Sequence, residues 1–245
     1  MERYKQIQGL IAGTRRYGEL NKSVNVLSPE EGLFQAVIYG GRKGKNCSVA
    51  PLFSYGTFQI YNNPVKNEYS IKESDCTFTA DRIMKDIKLT AAASYMCEVS
   101  CRIKTDSPED VYNLLKNAIT ILENGSYVPE KIIIDFTWKL LQFSGTAGDF
   151  SACPSCDRVI TDNEVLHFST TMTTPVCQDC ADTDRIVLTP GARKYLNYTF
   201  PMTFEQALEV KLFETAQKRI MAFLLNWVSA FCRWPLNSLK SGLLI

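Results

Sequence analysis

Four cysteines in two matched pairs are the residues of this sequence whose spacing most directly indicates chemistry. Cys153 and Cys156 form one C-x-x-C pair, and Cys177 and Cys180 form a second pair after twenty intervening residues. Two residues between thiolates let one tight turn aim both sulfurs at a single ion, and two such turns complete a tetrahedral site. Because four thiolates leave no open coordination position, we expect one structural Zn²⁺. Four unrelated buried thiols are the alternative.

The other thiols and the single histidine add no second ligand set. His167 lies between the two cysteine pairs. Since four cysteines suffice for a tetrahedral ion, we expect His167 to pack or hydrogen-bond nearby. A thioredoxin-type redox role would need a βαβ unit, which the sequence pattern does not show. We interpret the remaining cysteines as core or surface thiols: Cys47, Cys76, Cys97, Cys101 and Cys232.

Two basic clusters in the first part of the chain could bind phosphates. Residues 1–66 carry nine Lys and Arg against four Glu, a local balance of +5, although the net charge of the whole chain is +1. Arg15-Arg16-Tyr17 lies between the first two predicted strands, and Arg42-Lys43-Gly44-Lys45 follows the third. Such loops can place cations on phosphates and aromatic rings on bases. A solvated charged surface over core aromatics is the alternative. The aromatic candidates, most of which we expect in the core, are Tyr17, Tyr39, Phe53 and Tyr61.

The sequence contains no arrangement typical of an enzyme. Residues Gly40 to Asn46 fail as a phosphate-binding P-loop, because only three residues separate the outer glycines and Asn46 replaces the Mg²⁺-binding Ser or Thr. Nucleophile-elbow, H-E-x-x-H and H-x-E deaminase motifs are absent as well. We therefore expect a binding protein without catalytic activity.

Length and composition indicate a folded protein of more than one domain. The chain has 245 residues, of which 45% are apolar and 22% charged, as in ordinary globular proteins. The longest apolar stretch, Ile220 to Phe231, is too short to cross a bilayer, and the N-terminus lacks a signal-peptide pattern. We therefore expect a cytoplasmic protein with reduced thiols and no membrane partner.

Residues 1–75 have the pattern of a small barrel. Five β-branched or aromatic runs are separated by Gly, Asn and Pro, with no helical period between them. Five such strands suit a closed or partly open barrel of the oligonucleotide-binding (OB) type. The predicted strands are Tyr4–Ile11, Lys22–Leu27, Leu33–Tyr39, Leu52–Tyr61 and Glu68–Lys72.

The rest of the chain has a period near 3.6 and predicts helices. Their predicted starts are Thr79, Pro108 after the N-cap Ser107, Glu130, Pro190, and the capping box at Thr203, from which one helix of about 25 residues runs to Phe231. The fold class is therefore α+β, with a five-stranded OB barrel before an all-helical domain that contains an inserted four-cysteine zinc knuckle. The predicted domains are 1–76 (OB), 77–148 (helical), 149–185 (knuckle) and 186–245 (helical).

Several short motifs, in this order, resemble the RecO family of bacterial recombination mediators. They are Gly9-Leu10-Ile11, Tyr17-Gly18-Glu19, Val24-Asn25-Val26-Leu27-Ser28, Glu31-Gly32-Leu33, Gly40-Gly41-Arg42-Lys43, Ala50-Pro51-Leu52 and Leu239-Lys240-Ser241. The resemblance covers nearly the whole chain and includes the four-cysteine insert. Two positions differ from the family pattern. Tyr39 occupies the position of a lysine that usually precedes the loop glycine, and Asn21 lies near the position of an acidic residue that commonly follows the Tyr-Gly-Glu motif. These departures concern DNA affinity and not the fold.

The resemblance implies a non-enzymatic DNA repair and recombination mediator of the RecF pathway, acting in the bacterial cytoplasm at the nucleoid. Such proteins bind single- and double-stranded DNA, anneal complementary strands, associate with RecR and with the acidic C-terminal tail of single-strand-binding protein (SSB), and help RecA replace SSB. Predicted DNA contacts are Lys5, Arg15, Arg16, Tyr17, Lys22, Arg42, Lys43 and Lys45. Candidate cations for the SSB tail are Lys211, Lys218 and Arg219.

Two other functions stay open at this point. One is an RNA-binding OB protein with a zinc ribbon, which would prefer structured RNA over single-stranded DNA at matched salt. The other is a non-catalytic assembly scaffold whose basic face docks an acidic protein. Such a scaffold would bind partners and no oligonucleotide.

Overall fold

The computed structural model describes residues 4–43, 46–65, 68–148, 150–232 and 235–244. The chain divides into two compact units. The first comprises Met1–Cys101 and Thr105–Gly125, and the second comprises Arg102–Lys104 and Ser126–Ile245. The first two long helices therefore share a unit with the barrel. The finer boundaries at residues 76, 148 and 185 stay predictions.

The first unit begins with a closed five-stranded barrel, as the sequence predicts. Its strands are joined in the order β1-β2-β3-β5-β4. All neighbours are antiparallel except β3 and β5, which pair in parallel. Buried side chains such as Ile11, Val26 and Phe58 fill the interior. The strands are β1 Tyr4–Tyr17, β2 Asn21–Ser28, β3 Gly32–Ile38, β4 Tyr55–Asn63 and β5 Glu68–Phe78.

Strand β1 is longer than predicted, and this changes the position of the first basic cluster. Arg15, Arg16 and Tyr17 continue the strand and do not form a loop, because they pair with Ser23, Lys22 and Asn21 of β2. All three side chains are exposed. The strand therefore continues through backbone pairing with β2 and buries no apolar side chain in this part. Gly18, with φ of 64°, begins the turn to β2.

Two helices complete the first unit, α1 Ile87–Arg102 and α2 Pro108–Asn124. The first begins later than Thr79, since a short 3-10 helix covers Ile83–Lys85 and the Asp86 carboxylate accepts hydrogen bonds from the amides of Lys88 and Leu89. The second has the predicted limits, and Gly125 ends it in the left-handed conformation. Ser107 precedes it without the predicted side-chain capping bond.

The second unit is built around α3 Pro129–Phe143, which is buried on nearly all sides as its sequence predicts. Helices α4 Pro190–Thr199, α5 Phe204–Leu208 and α6 Glu214–Phe231 follow a small sheet. That sheet has the order β7-β6-β8, with β6 Leu166–Ser169, β7 Thr174–Val176 and β8 Thr183–Leu188. Trp227 of α6 lies 6.4 Å from Phe168 of β6, measured between ring centroids, and so packs the sheet onto the helices.

The predicted 25-residue helix from Thr203 to Phe231 is wrong, because the chain leaves helical geometry between α5 and α6. The capping box at Thr203 is present and starts α5. The buried Lys131 ammonium donates to the carbonyl of Ala207, 2.6 Å away. In a continuous helix this carbonyl would accept the amide of Lys211. The same carbonyl also accepts the amide of Val210 at 3.1 Å, an i, i+3 bond tighter than that of an α-helix, so both of its acceptor positions are occupied where α5 ends.

A membrane-spanning helix would have to be longer and more apolar than any helix in the described residues.

Candidate metal centre and nucleic-acid interface

The four predicted ligands come together in the second unit. The sulfurs of Cys153, Cys156, Cys177 and Cys180 all lie within 4.8 Å of one another. Those of Cys156 and Cys177 are 3.8 Å apart. A tetrahedron with metal–sulfur bonds of ~2.3 Å has sulfurs about 3.8 Å apart. The donor set and its spacing therefore fit one metal ion.

Each cysteine pair sits on a tight turn. In the first, the amide of Asp157 donates to the carbonyl of Cys153 at 2.8 Å, and Asp157 has φ of 58°. In the second, the amide of Cys180 donates to the carbonyl of Cys177 at 3.1 Å within a short 3-10 helix. The amide of Cys177 also donates to the sulfur of Cys153, 3.4 Å away. This bond ties the two turns to each other.

Backbone amides favour the thiolate form at Cys153. Burial acts to raise the pKa of this thiol, but amide hydrogen bonds from Cys177, Ser155 and Cys156 outweigh it and lower the pKa to about 6. Metal binding requires deprotonated thiols. The turn amides therefore favour the thiolate at Cys153, whereas neighbouring thiols raise the pKa of Cys156 and that of Cys180.

A cation lies beside the cluster. The guanidinium of Arg158 donates two hydrogen bonds to Glu164, at 2.5 and 3.2 Å. The carboxylate of Glu164 and then the sulfur of Cys177 raise the pKa of Arg158. Four thiolates around a divalent ion leave an excess of negative charge, which Arg158 partly balances. Residues 145–190 otherwise hold only Arg185 against seven Asp and Glu.

His167 stands apart from the ligand cluster. It lies on β6 opposite Val176, with Nδ1 3.3 Å from a carboxylate oxygen of Asp184. Within the described residues the metal-ligating cluster consists of the four cysteines alone. The remaining cysteines lie outside it. Burial raises the pKa of Cys97 and that of Cys101, the latter to about 11.

Four exposed cations of the first unit lie near the C-terminal end of β1, where the successive residues Arg15 and Arg16 point to opposite faces of the sheet. The amide of Arg42 donates to the carbonyl of Leu20 at 3.0 Å. Its guanidinium donates to the carbonyl of Glu19 at 2.9 Å. Both acceptors belong to the turn that follows Tyr17, so these bonds bring Arg42 beside Arg16. We call the exposed residues Arg15, Arg16, Tyr17, Arg42 and Lys43 the basic end.

Two predicted DNA contacts are engaged within the protein. The Lys22 ammonium donates to the carbonyls of Cys47 and Ala50, at 3.2 and 3.4 Å, and burial lowers its pKa. Lys5, near the other end of β1, forms an ion pair with Glu31 that raises the lysine pKa. Lys45 lies outside the described residues.

A separate cavity of about 540 Å³ lies in the second unit, between the start of α3 and the segment joining α5 to α6. Leu208, Val210 and Phe213 supply much of its apolar wall, and Lys211 supplies an exposed cation. The other two candidates for an acidic peptide are absent from its lining. Lys218 pairs with Glu214 on α6 at 2.7 Å, and Arg219 is exposed on the same helix.

The sequence analysis missed a buried polar network on α3. Lys131 forms an ion pair with Asp135 and donates to the hydroxyl of Tyr195 at 2.7 Å. Tyr195 in turn donates to Asp135 at 2.5 Å. An opposite-charge pair at i, i+4 within an otherwise apolar helix is the signal that could have revealed it.

The comparisons with known proteins agree with this architecture. Residues 1–79 match the family model described as recombination protein O N terminal, and residues 84–240 match recombination protein O C terminal. DNA repair protein RecO of Bacillus cereus strain B4264 is 24% identical over 241 residues, covering 96% of this chain and 95% of the relative. The same identity and coverage hold for DNA repair protein RecO of Bacillus anthracis strain CDC 684 and of Bacillus thuringiensis strain 97-27. The chain therefore belongs to the RecO family, whose role lies in DNA repair and recombination.

Proposed function

We propose that this protein is a non-enzymatic mediator of the RecF pathway that binds single- and double-stranded DNA and anneals complementary strands. The observation that carries the proposal is the basic end of the barrel. There, backbone hydrogen bonds hold Arg42 against the turn after Tyr17, next to Arg16. Exposed cations fixed in one place attract a polyanion more strongly than the same charges dispersed over a surface.

The proposed phosphate contacts are Arg15, Arg16, Arg42 and Lys43, with Lys45 added from the sequence. Lys22 and Lys5 contribute less, because both ammonium groups already have partners in the protein. Tyr17 supplies a ring at the same end. Neutralising about four phosphates of a single strand gives a slope of log K against log salt near −3.

An annealing assay tests the mediator function. Complementary oligonucleotides, one of them labelled, are mixed with the protein in the presence and absence of SSB. We expect the protein to accelerate annealing of both bare and SSB-coated strands. Annealing at the uncatalysed rate under both conditions would contradict the proposal. Structured RNA and single-stranded DNA at matched salt serve as competitors, and preferential competition by RNA would favour an RNA-binding protein instead.

For the metal centre, we propose one Zn²⁺ with a structural role. Four thiolates fit zinc and leave no position for a substrate. The Cys177 amide, which donates to the sulfur of Cys153, joins the two turns around the site. Elemental analysis of the purified protein should give about one zinc atom per chain. A different metal at full occupancy, or none, would contradict the assignment.

The apolar cavity of the second unit is our proposed site for the acidic C-terminal tail of SSB. Lys131 is an unsuitable anchor for a carboxylate, since its ammonium already donates to Asp135, Tyr195 and the carbonyl of Ala207. Lys211 is the exposed cation of the lining, so it is the anchor that we favour. Lys218 and Arg219 remain secondary candidates.

Titration of a labelled SSB-tail peptide tests this site. Lys211→Ala should weaken peptide binding several-fold, whereas Lys194→Ala, at an exposed lysine of α4 that does not line the cavity, serves as the matched control. Equal affinities for the two variants would exclude Lys211 as the anchor. The proposed role also includes binding to RecR, functional links to RecA and RecF, and location at the nucleoid.

A further inference from the structure

A row of tyrosines crosses the barrel surface beside the basic end. Tyr4 and Tyr61, paired between β1 and β4, have ring centroids 5.2 Å apart. Tyr39 follows β3, and Tyr17 ends β1. Tyr4, Tyr17 and Tyr39 are 64%, 45% and 37% exposed, and Tyr61 is partly buried. We call these four residues the tyrosine row.

Two charged residues of β5 connect the tyrosine row. The carboxylate of Glu68 accepts hydrogen bonds from the hydroxyls of Tyr17 and Tyr39, at 3.1 and 2.6 Å. The ammonium of Lys72 lies 5.7 Å from the ring centroid of Tyr39 and 5.6 Å from that of Tyr61. Glu68 and Lys72 therefore link three of the four rings to one another, and Tyr4 joins the row through its contact with Tyr61.

A bulge in β5 places Lys72 between the two rings. Gln59 and Ile60 are consecutive on β4, yet they pair with Glu73 and Ile71 on β5, which leaves Lys72 as the extra residue. Bulges change the direction of a side chain and are typical of functional edges. This bulge adds a cation to a surface of exposed rings.

We propose that the tyrosine row is the binding site for the unpaired bases of single-stranded DNA. This inference rests on the proposed DNA-binding function and adds to it the part of the strand that is recognised. Aromatic rings stack on any base, and each stacked base contributes about 1–3 kcal/mol. Lys72 and the basic end supply cations for the phosphates on either side. In a duplex the bases are already stacked and paired, so the row favours single strands.

The test uses two oligonucleotides of equal length and charge, one with bases and one entirely abasic. Binding of each is measured by fluorescence anisotropy as a function of salt. We expect the wild-type protein to bind the base-bearing strand more tightly, with the same salt slope for both strands. Equal affinity for both strands would overturn this inference. Failure of the wild-type protein to bind either strand would instead overturn the proposed DNA-binding function.

Substitutions assign the effect to particular rings. Tyr39→Ala and Tyr61→Ala should each weaken binding of the base-bearing strand by about 5- to 150-fold, the equivalent of one stacked base. Binding of the abasic strand should not change, and Tyr61→Phe should retain wild-type affinity.

Tyr69→Ala is the matched control. Tyr69 lies on β5 outside the tyrosine row and is likewise exposed. Its ring packs edge-on against Phe34, at 5.6 Å between centroids. If Tyr39→Ala and Tyr61→Ala bind both strands as Tyr69→Ala does, the tyrosine row does not contact bases.

Discussion

Two pairs of cations, one pair in each unit, are held in opposite ways. On the barrel, Arg16 and Arg42 are exposed, and hydrogen bonds to backbone carbonyls fix their position. In the second unit, Lys131 and Arg193 are each only 4% exposed. There Lys131 joins α3 to Tyr195 and Ala207, and Arg193 donates to the carbonyl of Thr161. The same residue types thus serve a surface in one unit and the interior in the other.

This difference shows why charge counts alone do not locate a binding surface. The Lys131 ammonium, whose three donors go to Asp135, Tyr195 and the Ala207 carbonyl, has no capacity left for a phosphate or a carboxylate. Removing such a cation should cost stability, whereas removing an exposed one should cost binding.

The largest effect should come from the metal centre of the second unit. Cys177→Ser removes a buried ligand, and structural zinc contributes about 10–16 kcal/mol in small zinc-binding peptides. We expect loss of stoichiometric metal and loss of cooperative unfolding of the second unit. Cys47→Ser, at an exposed thiol of the first unit, is the control. Full metal content in Cys177→Ser would contradict a four-thiolate site.

The next effect concerns the buried ion pair of α3. Lys131→Met leaves the carboxylate of Asp135 buried without its cation, which should cost about 3–5 kcal/mol of unfolding free energy. Chemical denaturation measures this difference. Lys194→Met, at an exposed lysine of α4, should change the stability little.

A double variant distinguishes the unpaired charge from lost packing. Lys131→Met combined with Asp135→Leu removes both charges, so it should recover much of the stability that the single variant loses. If the double variant is as unstable as Lys131→Met, the ion pair is not the cause of the loss.

The sequence revealed those parts of the structure that depend on local patterns. β-Branched and aromatic runs between Gly, Asn and Pro located all five barrel strands, and the C-x-x-C spacing identified the residues that form the cysteine cluster. The capping residues at Thr189 and Thr203 likewise marked helix starts. Each of these signals is contained within a few neighbouring residues.

The features that the sequence did not reveal depend on distant partners. Where α5 ends, the carbonyl of Ala207 accepts a hydrogen bond from Lys131, 76 positions away. The extension of β1 depends on pairing with β2, and Glu68 meets Tyr17 across 51 positions. No local pattern encodes such contacts.

A smaller effect is expected at the basic end. Arg42→Ala removes one phosphate contact and the bond to the Glu19 carbonyl, so affinity for single-stranded DNA should fall roughly five- to tenfold at about 50 mM salt. The salt slope should become less steep by about 0.7. Lys88→Ala, at an exposed lysine of α1 in the same unit, is the control. An unchanged slope in Arg42→Ala would mean that Arg42 does not contact a phosphate.

The smallest effect is expected at Lys5, which tests whether exposure alone makes a cation a DNA contact. Lys5 is exposed, but Glu31 already pairs with its ammonium. Binding a phosphate there would require breaking this ion pair, so Lys5→Ala should change DNA affinity by less than about twofold. Glu31→Ala releases the lysine and removes a negative charge, and it should therefore strengthen binding. If Lys5→Ala weakens binding as much as Arg42→Ala does, the DNA path extends along the whole of β1 and is not confined to the basic end.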